Sequence, residues 1–196
     1  GSEMCIRDRY IPSDIEGDYP GHVQNIHVGS YGLVPNLPAL NNARQLTITA
    51  WIYPTTPLKG IQGLLTKSMV AEGLGYGLFI NQNGELALRV GDTLSSVAEV
   101  STGQPLERAE WYFVAGRIDL NAGRISVHQI CATWWRDKQQ IIRTLDPIKL
   151  GCTNNNVAPI LIAASADGEG SSVNHMVHHF NGKIDSPKLF LYLIHI

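Results

Sequence analysis

Apolar and polar residues alternate in short runs along most of this chain. From Gln45 to Tyr53 (QLTITAWIY), Leu46, Ile48, Ala50 and Ile52 fall on one side, and Thr47, Thr49, Trp51 and Tyr53 on the other. Period-2 alternation rich in β-branched and aromatic residues predicts a half-buried strand, and Pro54, lacking a ladder donor, ends it. Tyr76 to Asn81 and Glu85 to Gly91 flank Gln82-Asn83-Gly84, where Asn-Gly supplies the positive φ of a tight hairpin. In the second arm Leu86, Leu88 and Val90 point inward, with Glu85 and Arg89 outward. Trp111 to Ile118 and Arg124 to Ile130 make another hairpin across Asp119 to Gly123. Pro159 to Ala164 is a short apolar strand, and Asn181-Gly182 introduces a last one ending at Phe190. Weaker segments are Gln24 to Val34, Gly63 to Lys67, Val97 to Val100 and Ile141 to Leu145. No window of a dozen residues carries an apolar stripe at helical spacing. About ten short antiparallel strands with turn signals between them predict an all-β sandwich of two antiparallel sheets.

Composition narrows the partners. Charge is nearly balanced, 15 Lys+Arg against 17 Asp+Glu for a net −2 over 196 residues, so there is no basic footprint for nucleic acid. No apolar run reaches the ~18–20 residues of a membrane span. Three cysteines without a CxxC pair build no zinc cluster; Cys131 and Cys152 could pair only with their Cα atoms within about 7 Å, and buried thiols are the simpler expectation. Gly1-Ser2 has the look of a cleaved-tag scar. Ser2 to Arg9 (SEMCIRDR) and the terminal Leu193-Ile194-His195-Ile196 resemble translated sequencing-adapter DNA at the ends of metagenomic fragments. The expected organisation is therefore an artefactual leader over 1–9, one domain over 10–191 and an artefactual tail over 192–196.

The ordered motifs resemble a known fold family. Gly29-Ser-Tyr-Gly-Leu-Val-Pro35, Leu46 to Pro54, Trp111-Tyr-Phe-Val-Ala115 and Phe180-Asn-Gly-Lys-Ile-Asp-Ser-Pro-Lys-Leu-Phe190 are similar to the opening, central and closing strands of a laminin-G-like, concanavalin A-like jelly roll. A narrower resemblance rests on Gly21-His-Val-Gln-Asn-Ile-His-Val-Gly-Ser-Tyr31, Ala50 to Pro57 and Gln62-Gly-Leu-Leu-Thr-Lys67. These resemble the N-terminal lectin-like module of the N,N-dimethylformamidase large (beta) subunit. That family joins the module to a C-terminal domain that holds a mononuclear iron and cleaves amides. The resemblance implies a parent amidohydrolase, cytoplasmic if of that type, whose chemistry lies outside these residues.

The candidate chemistry is sparse. His175, His178 and His179 could bind a transition metal, since neutral imidazole is a common ligand. On a strand His175 and His179 would share a face with His178 opposite, and a third ligand would have to come from elsewhere. Solvent-facing or carbonyl-bonded histidines are therefore expected there. The loop Asp167-Gly-Glu169-Gly170 could give oxygens to Ca²⁺. The resemblance adds Asp18 and Asp185 as a structural calcium pair between the chain's beginning and its closing strand; Asp185 could equally bond backbone amides and fix the last strand. No other cofactor is expected. Trp51 and Trp111 are expected as core or family packing residues. Trp134 and Trp135 are adjacent, so on a strand they point to opposite faces and one ring is exposed, to bind sugar or, preferably, to pack on a neighbouring domain. No Glu-x-Asp-x-x-Glu pattern, Gly-x-Ser-x-Gly elbow or His-Glu-x-x-His occurs, and no catalytic residue is assigned. The expected function is a non-catalytic accessory module of a larger enzyme, packing against a missing C-terminal domain or partner subunits. The alternative is an independent carbohydrate-binding or adhesion module that uses Ca²⁺.

Overall fold

A computed structural model describes residues 30–41, 43–93, 95–132, 140–150, 158–167 and 176–194. They build thirteen strands: β1 (Gly32–Val34), β2 (Gln45–Pro54), β3 (Gln62–Met69), β4 (Leu74–Ile80), β5 (Glu85–Thr93), β6 (Ser96–Pro105), β7 (Tyr112–Asp119), β8 (Arg124–Cys131), β9 (Gln140–Leu145), β10 (Ile160–Ile162), β11 (Ser165–Ala166), β12 (Met176–Val177) and β13 (Gly182–Phe190). One sheet runs β1-β10-β3-β4-β5-β6, with β11 on β3 and β12 on β11; the other runs β13-β2-β7-β8-β9. Every pairing is antiparallel except that of β11 with β3, at Ala166 and Met69. Among the described residues helix is confined to two 3-10 turns, Pro38–Leu40 and Val70–Glu72.

The alternation read along β2 becomes the wall of the core. Leu46, Ile48 and Ile52 are fully buried with Val114 and Ile118 of β7 and Ile125 and Val127 of β8. They face Leu78 and Ile80 of β4 and Leu86, Leu88 and Val90 of β5, all 0% exposed. Burying each such side chain contributes roughly 1.5–3 kcal/mol, which offsets the ordering of the strands. At Gly116 the two sheets pack closely: an added Cβ would lie 2.7 Å from Leu88 Cδ1.

The Asn-Gly hairpin forms as expected. Gly84 takes φ 78°, and the Asn81 side chain accepts from the amides of Asn83 and Glu85 at 2.9 and 3.0 Å. The weak segments at Gly63 and Val97 grow into full strands, β3 and β6, because each finds partners in the sheet. Past β10 the chain reverses across β3: Thr66 Oγ1 donates to Ala164 O at 2.8 Å, and the Gly63 amide to His178 O at 2.7 Å. A Cβ at Gly63 would sit 2.5 Å from Ala164 O, so only glycine allows this crossing.

The core alternative expected for Trp51 is corrected. Trp51 lies outside the core, 37% exposed on the outer side of the five-stranded sheet, and Trp111 is half-buried just before β7. Strand alternation that turns Ala50 and Ile52 inward forces Trp51 outward.

Candidate functional site

The expected site residues fall in three groups. Asp18, Trp134, Trp135, Glu169 and His175 lie outside the described residues, as does Cys152; Cys131 is buried at the end of β8. Asp167 follows β11 in the eight-stranded sheet. Asp185 is exposed on β13, the edge of the other sheet, where a bulge between Asp185 and Lys188 accommodates Ser186 at φ 47° and Pro187. Among the described residues, no three His, Cys, Asp or Glu side chains group so as to hold a metal ion.

His178 serves structure. Its Nδ1 lies 2.9 Å from Ser165 Oγ, its carbonyl accepts from Gly63, and its backbone takes φ 54°. Burial, then the Arg89 charge, holds its pKa below the ordinary value, with Asp167 pulling the other way. The neutral ring thus ties β11 to the crossing segment through the Ser165 hydroxyl, where the expectation was a solvent-facing or carbonyl-bonded ring.

A cleft of ≈ 270 Å³ opens on the outer side of the eight-stranded sheet. Gly73, Gly75 and Gly91 line it with backbone alone, beside Met69 and Val97, and Ser68 and Arg89 are its polar residues. The Arg89 Nε and Nη2 both donate to Glu99 Oε2, at 2.9 and 2.7 Å, and the guanidinium sits 5.7 Å from the Phe79 ring centroid. An ion pair this exposed is worth at most ~1 kcal/mol, and with Glu99 beside it Arg89 offers no bare positive charge.

The outer side of the five-stranded sheet carries aromatics instead. Trp51 pairs directly with Phe113, and Phe113 with Ile130, in adjacent strands. The Trp51 and Phe113 rings meet edge to face, with centroids 5.5 Å apart. Two residues along, Tyr53 packs on Trp111 at 5.5 Å, and Lys183 Nζ lies 5.5 Å from the Tyr53 centroid. Ile142, 44% exposed, extends the apolar surface on β9. Such a face can stack on an apolar ring or bury against another protein surface. Trp134 and Trp135, the tryptophans expected to be exposed, lie outside the described residues; the signal for the face seen here was Trp51 and Tyr53 sharing the Thr47-Thr49 side of β2.

Two stacked sheets with these motifs define a lectin-type sandwich, and the chain belongs to the concanavalin A-like lectin/glucanases superfamily, matched over residues 27–192. It is 28% identical to the N,N-dimethylformamidase beta subunit of Paracoccus aminophilus and 25% identical to that of an Alcaligenes species, across 94% of this chain in each case. It spans 25% of the length of those relatives. The sandwich is also similar in fold to the Ruminococcus gnavus IT-sialidase CBM40 bound to α2,3-sialyllactose, with a TM-score of 0.60, 16% identity and 78% of each chain covered. Among the described residues no helix is long and apolar enough to cross a membrane.

Proposed function

We propose that this chain is the non-catalytic lectin-like module of a larger protein of the N,N-dimethylformamidase beta-subunit type, where it serves domain packing or subunit assembly. The observation that carries this reading is the lopsided match, 94% of this chain against 25% of the relatives. The exposed Trp51–Phe113 face supports it, because an apolar patch beside polar strands is what a neighbouring domain covers. Amide hydrolysis on this reading belongs to the rest of the parent protein.

The test is association between this chain and a Paracoccus aminophilus beta subunit lacking its matching quarter. A complex on size exclusion with light scattering is expected, weakened by Trp51→Ser and Phe113→Ser. Two outcomes overturn the reading: no complex, or hydrolysis of N,N-dimethylformamide by this chain alone. The second reading, an independent carbohydrate-binding module using Ca²⁺ held by Asp18, Asp167, Glu169 or Asp185, draws on the same exposed Trp51, whose ring can stack on a pyranose. Glycan-array binding that depends on Ca²⁺, together with no complex, would establish it instead.

A further inference from the structure

Beside the aromatic patch, the same outer face has a polar groove of ≈ 190 Å³. Arg117 on β7 pairs in register with Ser126 on β8, and Ser126 with Thr144 on β9; His128 lies two residues along from Ser126 on the same face. All four line the groove, with Ile142 as an apolar wall and Leu193 at the rim.

Two buried nitrogens here have no hydrogen-bond partner. His128 is 5% exposed, and its Nδ1 meets no partner, while its Nε2 lies 3.2 Å from Ser126 Oγ. With the serine hydroxyl donating to Nε2, Nδ1 carries the proton and becomes a donor. The buried Nε of Arg117 is unpartnered too. A buried polar group left unsatisfied costs ~1–3 kcal/mol, so two donors lining one groove point to an acceptor that arrives from outside.

The charges facing His128 select that acceptor. Asp119 Oδ1 is already engaged by Gln45 Nε2 and the Ala122 amide, at 3.1 and 3.2 Å. Arg124 reaches Asp146 at 4.0 Å. Arg117 has no carboxylate partner among the described residues, and a planar guanidinium fork matches a carboxylate.

We propose that this groove is a carboxylate-binding site, in which Arg117 and the Nδ1–H of His128 hold the two oxygens and the Thr144 hydroxyl donates from β9. The Asp119 charge in the groove opposes a doubly charged phosphate more than a singly charged carboxylate. The carboxylate comes either from a small free acid or from an Asp or Glu side chain of a polypeptide packed on this face. The site goes beyond the packing reading and does not depend on it.

The test follows the His128 ring and Arg117 Nε–H resonances of the labelled chain during titration with sodium acetate, with sodium chloride at matched ionic strength and with sodium phosphate. Saturable shifts in millimolar acetate are expected, absent with chloride and weaker with phosphate. Arg117→Gln abolishes them, and Thr144→Ala, on an exposed strand position, weakens them in a chain with an unchanged amide spectrum. A blocked peptide with a single Glu, set against its Gln counterpart, separates the sources: tighter binding than acetate by the Glu peptide assigns a protein side chain, and acetate binding without it assigns a small acid. Absence of saturable acetate shifts, reproduction of them by chloride, or their persistence in Arg117→Gln overturns the proposal.

Discussion

Gly116→Ala probes how the two sheets interlock. The added methyl would lie 2.7 Å from Leu88 Cδ1 and 3.3 Å from Leu78 Cδ1. Carbon atoms pack best at about 3.5–4.0 Å, so Leu88 must yield by roughly 1 Å. It is 0% exposed, so the shift has to be taken up inside the core. Overpacking of this kind costs ~1–3 kcal/mol, reduced by the ~0.5–1 kcal/mol that Ala gains over Gly in a strand. Leu88→Ala alone leaves a cavity and costs ~2–5 kcal/mol. In the double variant the new methyl enters the space the leucine vacated, so the combined loss falls short of the sum by ~1–2 kcal/mol. Urea unfolding followed by tryptophan fluorescence measures all three, with shifts in midpoint at constant slope. Costs that add within ~0.5 kcal/mol, or a neutral Gly116→Ala, would refute this account of the interface.

Other consequences concern titration and the glycine-lined cleft. Lys67 is 1% exposed, and burial brings its pKa down to about 8. Between that value and the unfolded pKa of ~10.4 the unfolded chain binds the extra proton, so stability rises with pH across this window. Lys67→Met removes that rise in chemical denaturation from pH 7 to 10, and an unchanged profile contradicts the burial effect. His128 and His178 both titrate below the ordinary histidine value, His128 through burial and Arg117, His178 through burial and Arg89. Below about pH 6.5 the unfolded chain protonates first, so stability falls on acidification and His128→Gln with His178→Gln flattens the fall. At Gly91 a Cβ would collide with the backbone oxygen of Gly73. Gly91→Ala therefore costs at least the upper end of ~1–3 kcal/mol, read as a lower thermal midpoint, and a midpoint equal to the parent chain's would show that the strand can move.

Much of the scaffold was legible because strand alternation is local. The Gln45–Tyr53 pattern predicts β2 to within a residue, and Asn83-Gly84 predicts its hairpin, since each depends on neighbours two or three positions away. The site was less legible. Trp51 and Phe113 are 62 positions apart in sequence and become a pair only through the β2–β7 register. Arg117, His128 and Thr144 come from three strands and show no spacing motif at all.

The amino-acid order alone therefore determined the element type and the inward side of most strands, because pleat periodicity and turn chemistry act over a few residues. Tertiary structure decided the rest. Which strands pair, that β11 folds back parallel to β3, that Thr47 is fully buried although it lies on the polar side of β2, and that one outer face gathers aromatics beside a groove with two unpartnered nitrogens all rest on pairing between distant segments. Thr47 shows the reason: its hydroxyl donates to Tyr192 O at 2.9 Å and accepts from the Ile194 amide at 3.2 Å, contacts that close across 145 and 147 residues. Polarity written into one strand specifies a side chain's neighbours only once the sheet has brought them there.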